Sequence, residues 1–284
     1  MLMLAAAMLA ATGYVRPEML VSTEWLAAHL QDPDIRIVDM RRTAAEFEAG
    51  HMPNAVYLAN DAIRDPHAPP AFLPTPAAFE AIMSRLGIGN TTRVIAYDGR
   101  GGIYAARLWW ILNYFGHANV ALVDGGWLKW TAERRQTTGE MPTYPTASFR
   151  ARPNPRWVAT ADEVKGAIGR PGTRIVDART RAEIEGRDLR GIRRGGRIGS
   201  SVPLYWEDLL DPATKTFKPA AELERLFRER ALAPSDEIIV YCQVGMRASV
   251  DLFALRLMGY EKLRNYYGAW EEWGNRDDTP IEKP

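Results

Sequence analysis

Thiols are nearly absent from this chain: Cys242 is the only cysteine in 284 residues. A single cysteine excludes an intramolecular disulfide, a CxxC redox pair and a cysteine-based zinc cluster, and it says nothing of redox compartment. Histidine is also scarce. His29, His51, His67 and His117 all lie in the first half, without metal-ligand spacing. Neither sign of charge dominates, since 36 Lys and Arg face 35 Asp and Glu for a net +1, so nucleic-acid binding has no global support. Long apolar runs are missing apart from Met1–Thr12, which is too short to span a bilayer. That stretch resembles the apolar part of a signal peptide but has no Lys or Arg before Arg16. The balance favours a cytoplasmic protein narrowly, with a periplasmic or exported one left open.

Cys242 ends the apolar run Ile238-Ile239-Val240-Tyr241. The run reads as a buried strand. Gln243-Val244-Gly245-Met246-Arg247 then supplies a glycine-containing turn into a helix-like segment from Ala248 to Leu255. A side chain cradled there faces free backbone N–H groups and the positive end of a helix, and both favour negative charge. This placement predicts a nucleophile rather than an inert buried thiol.

The chain also repeats itself. Ile37-Val38-Asp39-Met40-Arg41 recurs as Ile175-Val176-Asp177-Ala178-Arg179, and Ser22 recurs as Thr160, both at an offset of 138. Gly50–Leu58 recurs as Gly196–Leu204 at an offset of 146, which implies an insertion in the second copy. Val94–Asp98 aligns with Ile238–Cys242, and Gly125-Gly126-Trp127 with Gly268-Ala269-Trp270. Two homologous domains are expected, over 18–138 and 156–280, each alternating short strands with helices such as Pro76–Leu86 and Ala220–Arg230. That order is α/β with a mainly parallel sheet. The proline-rich stretch Gly139–Pro155 reads as an extended linker between them. Thr160-Ala161-Asp162-Glu163 has capping-box spacing, and Ser22 caps the matching helix. Trp127, Trp130, Trp270 and Trp273 read as packing anchors. Arg187, Arg190, Arg193, Arg194 and Arg197 cluster in the insertion, where they form either a solvated loop or an electropositive rim for an anionic substrate or acidic partner.

Duplication with one surviving cysteine, together with Val176-Asp177-Ala178-Arg179, Tyr241–Ser249 and Asn265–Trp270, resembles the tandem-domain rhodaneses, which are sulfurtransferases. The resemblance covers roughly residues 18–280 and implies two rhodanese-like domains, the first catalytically silent with Asp98 opposite Cys242. It implies that Cys242 takes the outer sulfur of thiosulfate as a persulfide and passes it to a thiophile such as cyanide, a small thiol or a protein thiol. The N–H groups of Gln243, Val244, Gly245, Met246 and Ala248 would hold the anionic sulfur. Arg247 would bind the sulfonate of the donor, and Arg179, more a structural bracket with Asp177, would be a weaker substrate contact. No cofactor or metal is implied. In the first copy, Ile103 is the residue aligned with Arg247. Two departures from the family pattern stand out: Gly196–Ser201 lacks the proline of the first copy's turn, and Tyr267 replaces a common Asp, which the first copy keeps as Asp124.

Three other readings are open to the residues. A cysteine phosphatase needs five residues between Cys and Arg, whereas four separate Cys242 from Arg247, and Tyr241 replaces the His often found before the phosphatase cysteine. A noncatalytic persulfide carrier has the same sequence features as an enzyme. A 3-mercaptopyruvate sulfurtransferase differs in the donor, and relatives of that kind have no cation in the loop, so Gln243 and Arg247 favour thiosulfate.

Overall fold

The computed structural model describes residues 13–65 and 73–283; Met1–Thr12 and His67, both considered above, lie outside them. The first half runs β1 (Leu20–Val21), α1 (Thr23–Ala28), β2 (Ile35–Asp39), α2 (Ala44–Glu48), β3 (Ala55–Tyr57), α3 (Pro76–Arg85), β4 (Arg93–Tyr97), α4 (Ile103–Tyr114), β5 (Val120–Val123) and α5 (Gly126–Ala132). The second half repeats it as β6 (Val158–Ala159), α6 (Ala161–Ala167), β7 (Thr173–Asp177), α7 (Arg181–Ile184), β8 (Val202–Pro203), α8 (Ala220–Glu229), β9 (Glu237–Tyr241), α9 (Met246–Leu257), β10 (Leu263–Tyr266) and α10 (Ala269–Trp273). Each half is a five-stranded parallel sheet, in the order β1-β5-β4-β2-β3 and β6-β10-β9-β7-β8. Parallel strands need crossovers, and the helices supply them. The register keeps the repeat: Val38 pairs with Val56 as Val176 pairs with Val202.

Local signals start the helices where the sequence places them. Ser22 accepts from the Trp25 N–H, and Thr160 with Glu163 forms a complete capping box. Strand alternation then sorts side chains between two faces. Val38, Val94 and Ala96 of the first sheet and Val176, Ile238, Val240 and Cys242 of the second enter one core shared by both halves. Ile37, Ile95 and Tyr97, and likewise Ile175, Ile239 and Tyr241, face outward into two smaller cores. Helices α4 and α9 pack together in the shared core, with Trp109 edge-on to Phe253 at 5.3 Å. The parity of β9 therefore aims Cys242 at the contact between the halves.

Two expectations need correction. The stretch 139–155 is extended but not a free linker. Its Ala147, Arg152 and Asn154 N–H groups bond the carbonyls of Ser84, Phe115 and Tyr114 at 3.0, 2.9 and 2.7 Å, and Phe149 is buried against Phe79. The arginine cluster is not an open rim either. Arg194 binds the carbonyls of Trp273, Gly274 and Thr279, Arg193 pairs with Asp277, Arg197 with Glu282 and Arg187 with Glu185. Glycines let this insertion lie close to the C-terminal segment, where Arg193, Arg194 and Arg197 meet that segment's carbonyls and carboxylates, while Arg187 and Arg190 are exposed. Of the tryptophans, Trp130, Trp270 and Trp273 are buried and Trp127 half-buried. No helix among the described residues is long and apolar enough to cross a membrane.

Asp124, just beyond β5, ties the halves together by accepting from the Phe217 N–H at 2.8 Å. Burial raises its pKa to about 6, against the opposing Phe217 N–H and the charge of Lys129. A pKa raised on folding contributes stability below the unfolded value that is lost as pH rises through about 6. Asp124→Asn keeps an acceptor without the charge. It is expected to be more stable than the parent at pH 8 by on the order of 2 kcal/mol, with the difference vanishing near pH 4, by denaturant titration at both values.

Candidate active site

Cys242 is fully buried, at the point where β9 gives way to the N-terminus of α9. Gly245 precedes α9 at φ 77°, a left-handed conformation that suits glycine, and a Cβ there would stand 3.1 Å from the Tyr267 ring. Its carbonyl accepts from the Asn265 side chain at 3.1 Å and the Ser249 hydroxyl at 3.3 Å. The Trp270 and Glu271 N–H groups bind the carbonyls of Cys242 and Gln243 at 2.9 and 3.1 Å. These bonds fix the loop through its carbonyls and do not use its own N–H groups. Among the described residues, no N–H from Gln243 to Ala248 has a protein acceptor.

The first half shows what such a loop holds. Asp98, aligned with Cys242, accepts from the N–H groups of Arg100 (2.7 Å), Gly102 (3.0 Å), Tyr104 (2.7 Å) and Ala105 (3.0 Å). Burial pushes its pKa up, and those four donors pull the other way. The Trp127 N–H binds the Asp98 carbonyl at 2.8 Å, as Trp270 does for Cys242. The two loops differ by one residue. Gly102 precedes α4 with φ 86° and Gly245 precedes α9 with φ 77°, so Gly102 matches Gly245 and Tyr104, not Ile103, matches Arg247. A gapless alignment carried through the loop misassigned that position.

Arg247 points back toward the sulfur and is held by a residue the sequence analysis missed. Glu183 receives both terminal nitrogens of Arg247 at 2.7 Å each and is itself buried. Burial opposes the charge on Arg247, but Glu183 and Cys242 outweigh it and keep the guanidinium protonated. Burial likewise opposes ionisation of Glu183, yet Arg247 and the Thr180 cap bring its pKa down to about 2. Thr180-Arg181-Ala182-Glu183 has capping-box spacing, and the complete box opens α7. That spacing was the available signal.

Arg179 lies elsewhere. Its Nε and one terminal nitrogen bond Asp177 at 2.9 and 2.7 Å, that nitrogen also reaches the Gly196 carbonyl at 2.8 Å, and the guanidinium stacks on Trp270 at 4.1 Å. Tyr241 donates to the same carboxylate. Arg41, Asp39, Tyr97, Gly50 and Trp127 repeat the arrangement in the half without a cysteine. Both groups sit on the outward face of the sheet, so Arg179 is a bracket for β7 and the turn at Gly196 and not a contact of the sulfur. Of the other loop residues, Gly245 and Ala248 are buried, while Gln243, Val244 and Met246 are half-buried. Met246 receives the Asn60 side chain of the first half at 3.7 Å. No cluster of His, Cys, Asp or Glu among the described residues could hold a metal.

A model of the rhodanese-like domain matches residues 22–133 and 160–276. The chain belongs to the tandem-domain rhodanese family. A thiosulfate sulfurtransferase of Corynebacterium glutamicum is 36% identical, over 95% of this chain and 92% of that protein. The sulfur carrier protein TtuD of Thermus thermophilus is 34% identical over 95% and 99%. The crystal structure of a 3-mercaptopyruvate sulfotransferase from Escherichia coli superposes with a TM-score of 0.81 and 31% identity, over 89% of this chain and 98% of that one. Sulfur transfer is thus the reaction class of this rhodanese.

Glu183 carries the test of the Arg247 geometry. A carboxylate whose pKa is depressed on folding contributes stability above the unfolded value that is lost as pH falls toward about 2. Glu183→Gln is expected to cost about 2 kcal/mol at pH 7, less at pH 4, because the paired charge is gone. Urea titrations at the two pH values check it, and an equal loss at both removes the ion pair as the cause.

Proposed function

We propose that this rhodanese moves the outer sulfur of thiosulfate through a persulfide on Cys242 to a thiophilic acceptor, and that the first half is catalytically silent. The observation that carries the reading is the correspondence of the two loops: each leads from a strand end through a left-handed glycine into a helix, and where Asp98 of the first half accepts from four N–H groups the second half has Cys242. A cradle of backbone donors at a helix N-terminus stabilises a buried anion, whether thiolate, persulfide or the transition state between them. In the first half a carboxylate fills the cradle permanently and offers no sulfur nucleophile.

In the first step the Cys242 sulfur attacks the outer sulfur of thiosulfate. A new S–S bond forms as the old one breaks, and sulfite leaves with the bonding pair. In the second step cyanide, a small thiol or a protein thiol attacks the outer sulfur of the persulfide, and Cys242 leaves as the thiolate. Arg247 meets the sulfonate of the donor. Glu183 occupies one edge of its guanidinium, and the remaining hydrogens, on Nε and on the terminal nitrogens, stay available for oxygen. The N–H groups of Gln243, Val244, Gly245, Met246 and Ala248 surround the transferred sulfur. A 3-mercaptopyruvate donor is the second reading, favoured by the Escherichia coli structure; against it stands the cation in the loop.

Intact-mass measurement after exposure to thiosulfate is expected to show one added sulfur on the parent protein and none on Cys242→Ser, which cannot store a persulfide. A Cys242→Ser protein that still transfers sulfur would falsify the mechanism. Steady-state kinetics with both donors tests the donor assignment. Arg247→Ala should weaken thiosulfate use at least about tenfold through loss of a charge-assisted hydrogen bond, and Arg247→Lys should recover only part of it because an ammonium lacks the planar fork. A larger kcat/KM for mercaptopyruvate in the parent, or indifference to Arg247→Ala, overturns thiosulfate as donor and leaves sulfur transfer standing.

A further inference from the structure

Asp251 lies one helical turn beyond Arg247 on α9, and nothing in the mechanism above uses it. It is fully buried, and among the described residues neither carboxyl oxygen has a hydrogen-bond partner. Buried carboxylates are normally paired or multiply hydrogen-bonded, because removing a charge from water without compensation is prohibitive. The position is specific to the half that carries the cysteine. In the helix register that matches Gly102 to Gly245, the counterpart of Asp251 is Leu108, buried in the same shared core. An apolar side chain therefore suffices for packing at that place in α4, and the acid in α9 calls for another explanation.

The charged groups that act on Asp251 come from every side of it: Cys242 at the end of β9, Asp177 at the end of β7, Asp208 in the turn Trp206–Leu209, and Arg247 on its own helix. Three of the four are acids or the reactive sulfur. The cation among them, Arg247, is already engaged by both oxygens of Glu183. Burial above all, then Cys242 and the two aspartates, push the Asp251 pKa well above the carboxylate range, with Arg247 opposing. Two like charges in one buried pocket do not both ionise. When the sulfur is anionic, the proton belongs on the carboxyl.

We propose that Asp251, buried on α9 one turn beyond Arg247, is a positioning residue that stays a neutral carboxylic acid, holding one proton so that the sulfur of Cys242 is the only negative charge the pocket must add to the Arg247–Glu183 pair. The inference rests on the sulfur-transfer reading. The balance is simple: the thiol and the carboxyl keep one proton between them, and that proton stays on the carboxyl, so the reacting site is thiolate and acid and not thiol and carboxylate. Attack on thiosulfate then exchanges thiolate for persulfide and expels sulfite, and the acceptor restores the thiolate, with the proton on Asp251 throughout. Ionisation of Asp251 at alkaline pH places a second negative charge beside the sulfur, which repels an incoming dianion.

The test is the pH dependence of persulfide formation from thiosulfate in a single turnover, read by intact mass, since the donor does not itself titrate in that range. The parent rate should fall on the alkaline side, by about tenfold for each pH unit once the acid is ionised. Asp251→Asn should lose that fall, because its amide stays neutral. Infrared difference spectra supply a signature that packing alone does not move: the carbonyl band of a protonated carboxylic acid, present in the parent at neutral pH, absent in Asp251→Asn, and lost over the same alkaline range as the rate. If the amide variant does not fold, Asp251→Leu, which copies the first half, takes its place with the same expectations. An alkaline fall that persists in the variant, or a parent without the acid band, overturns the proposal. A parent that has the band yet forms no persulfide overturns the sulfur-transfer reading, and with it this role for Asp251, while leaving its protonation as found.

Discussion

Backbone N–H groups at the buried start of a helix need an acceptor, and the two halves of this fold differ in what stands at that place. Helices α4 and α9 pack together in the core shared by the two halves, where an unpaired buried donor costs about 1 to 3 kcal/mol. The first half answers with a carboxylate fixed in the chain. The second presents a sulfur atom, which is smaller in charge density and chemically exchangeable. Much else in the structure serves that difference. The strand parity that buries Val240 and exposes Tyr241 to the outer core also turns Cys242 inward, and the bonds from Trp270, Glu271, Asn265 and Ser249 hold the loop through its carbonyls, so that its N–H groups are not spent on them.

The fold was legible in the sequence because its signals are local and repeated. Apolar runs of four or five residues mark β4 and β9, threonine and serine caps mark the helix starts, and the duplication fixes how strands of one half correspond to those of the other. The cysteine site was legible for the same reason, since its strand, its glycine and its helix are contiguous. Glu183 was not, because it reaches Arg247 across 64 residues and is contributed by the short helix α7. A capping box predicts where such a residue sits on its own helix but not what lies opposite it in space.

The misplaced counterpart of Arg247 has an instructive physical cause. Strands β4 and β9 keep an offset of 144 residues between the halves, whereas α4 and α9 keep 143. The missing residue falls in the loop between them, and a gapless comparison carries the strand offset into the helix. Left-handed glycines at 102 and 245 reveal the true register, because each takes the last non-helical step before its helix. Backbone geometry, which a sequence comparison cannot see, decides which side chains are equivalent.

The arginines show how far residue type alone can lead. Arg179 and Arg247 both lie close in sequence to the motifs of this family, and both form tight bonds to a buried carboxylate. Their surroundings separate them. The bonds of Arg179 to Asp177 and to the Gly196 carbonyl are repeated by Arg41 with Asp39 and Gly50 in the half without a cysteine, so its bracket belongs to the folding of a rhodanese-like domain. Arg247 is matched by Tyr104, a residue that cannot carry positive charge, and so its guanidinium and the pair it forms with Glu183 set the second half apart from the first. Comparing the two halves of one chain thus acts as an internal control: features common to both account for architecture, and the few that differ, Cys242 for Asp98, Arg247 for Tyr104 and Asp251 for Leu108, gather around a single sulfur atom.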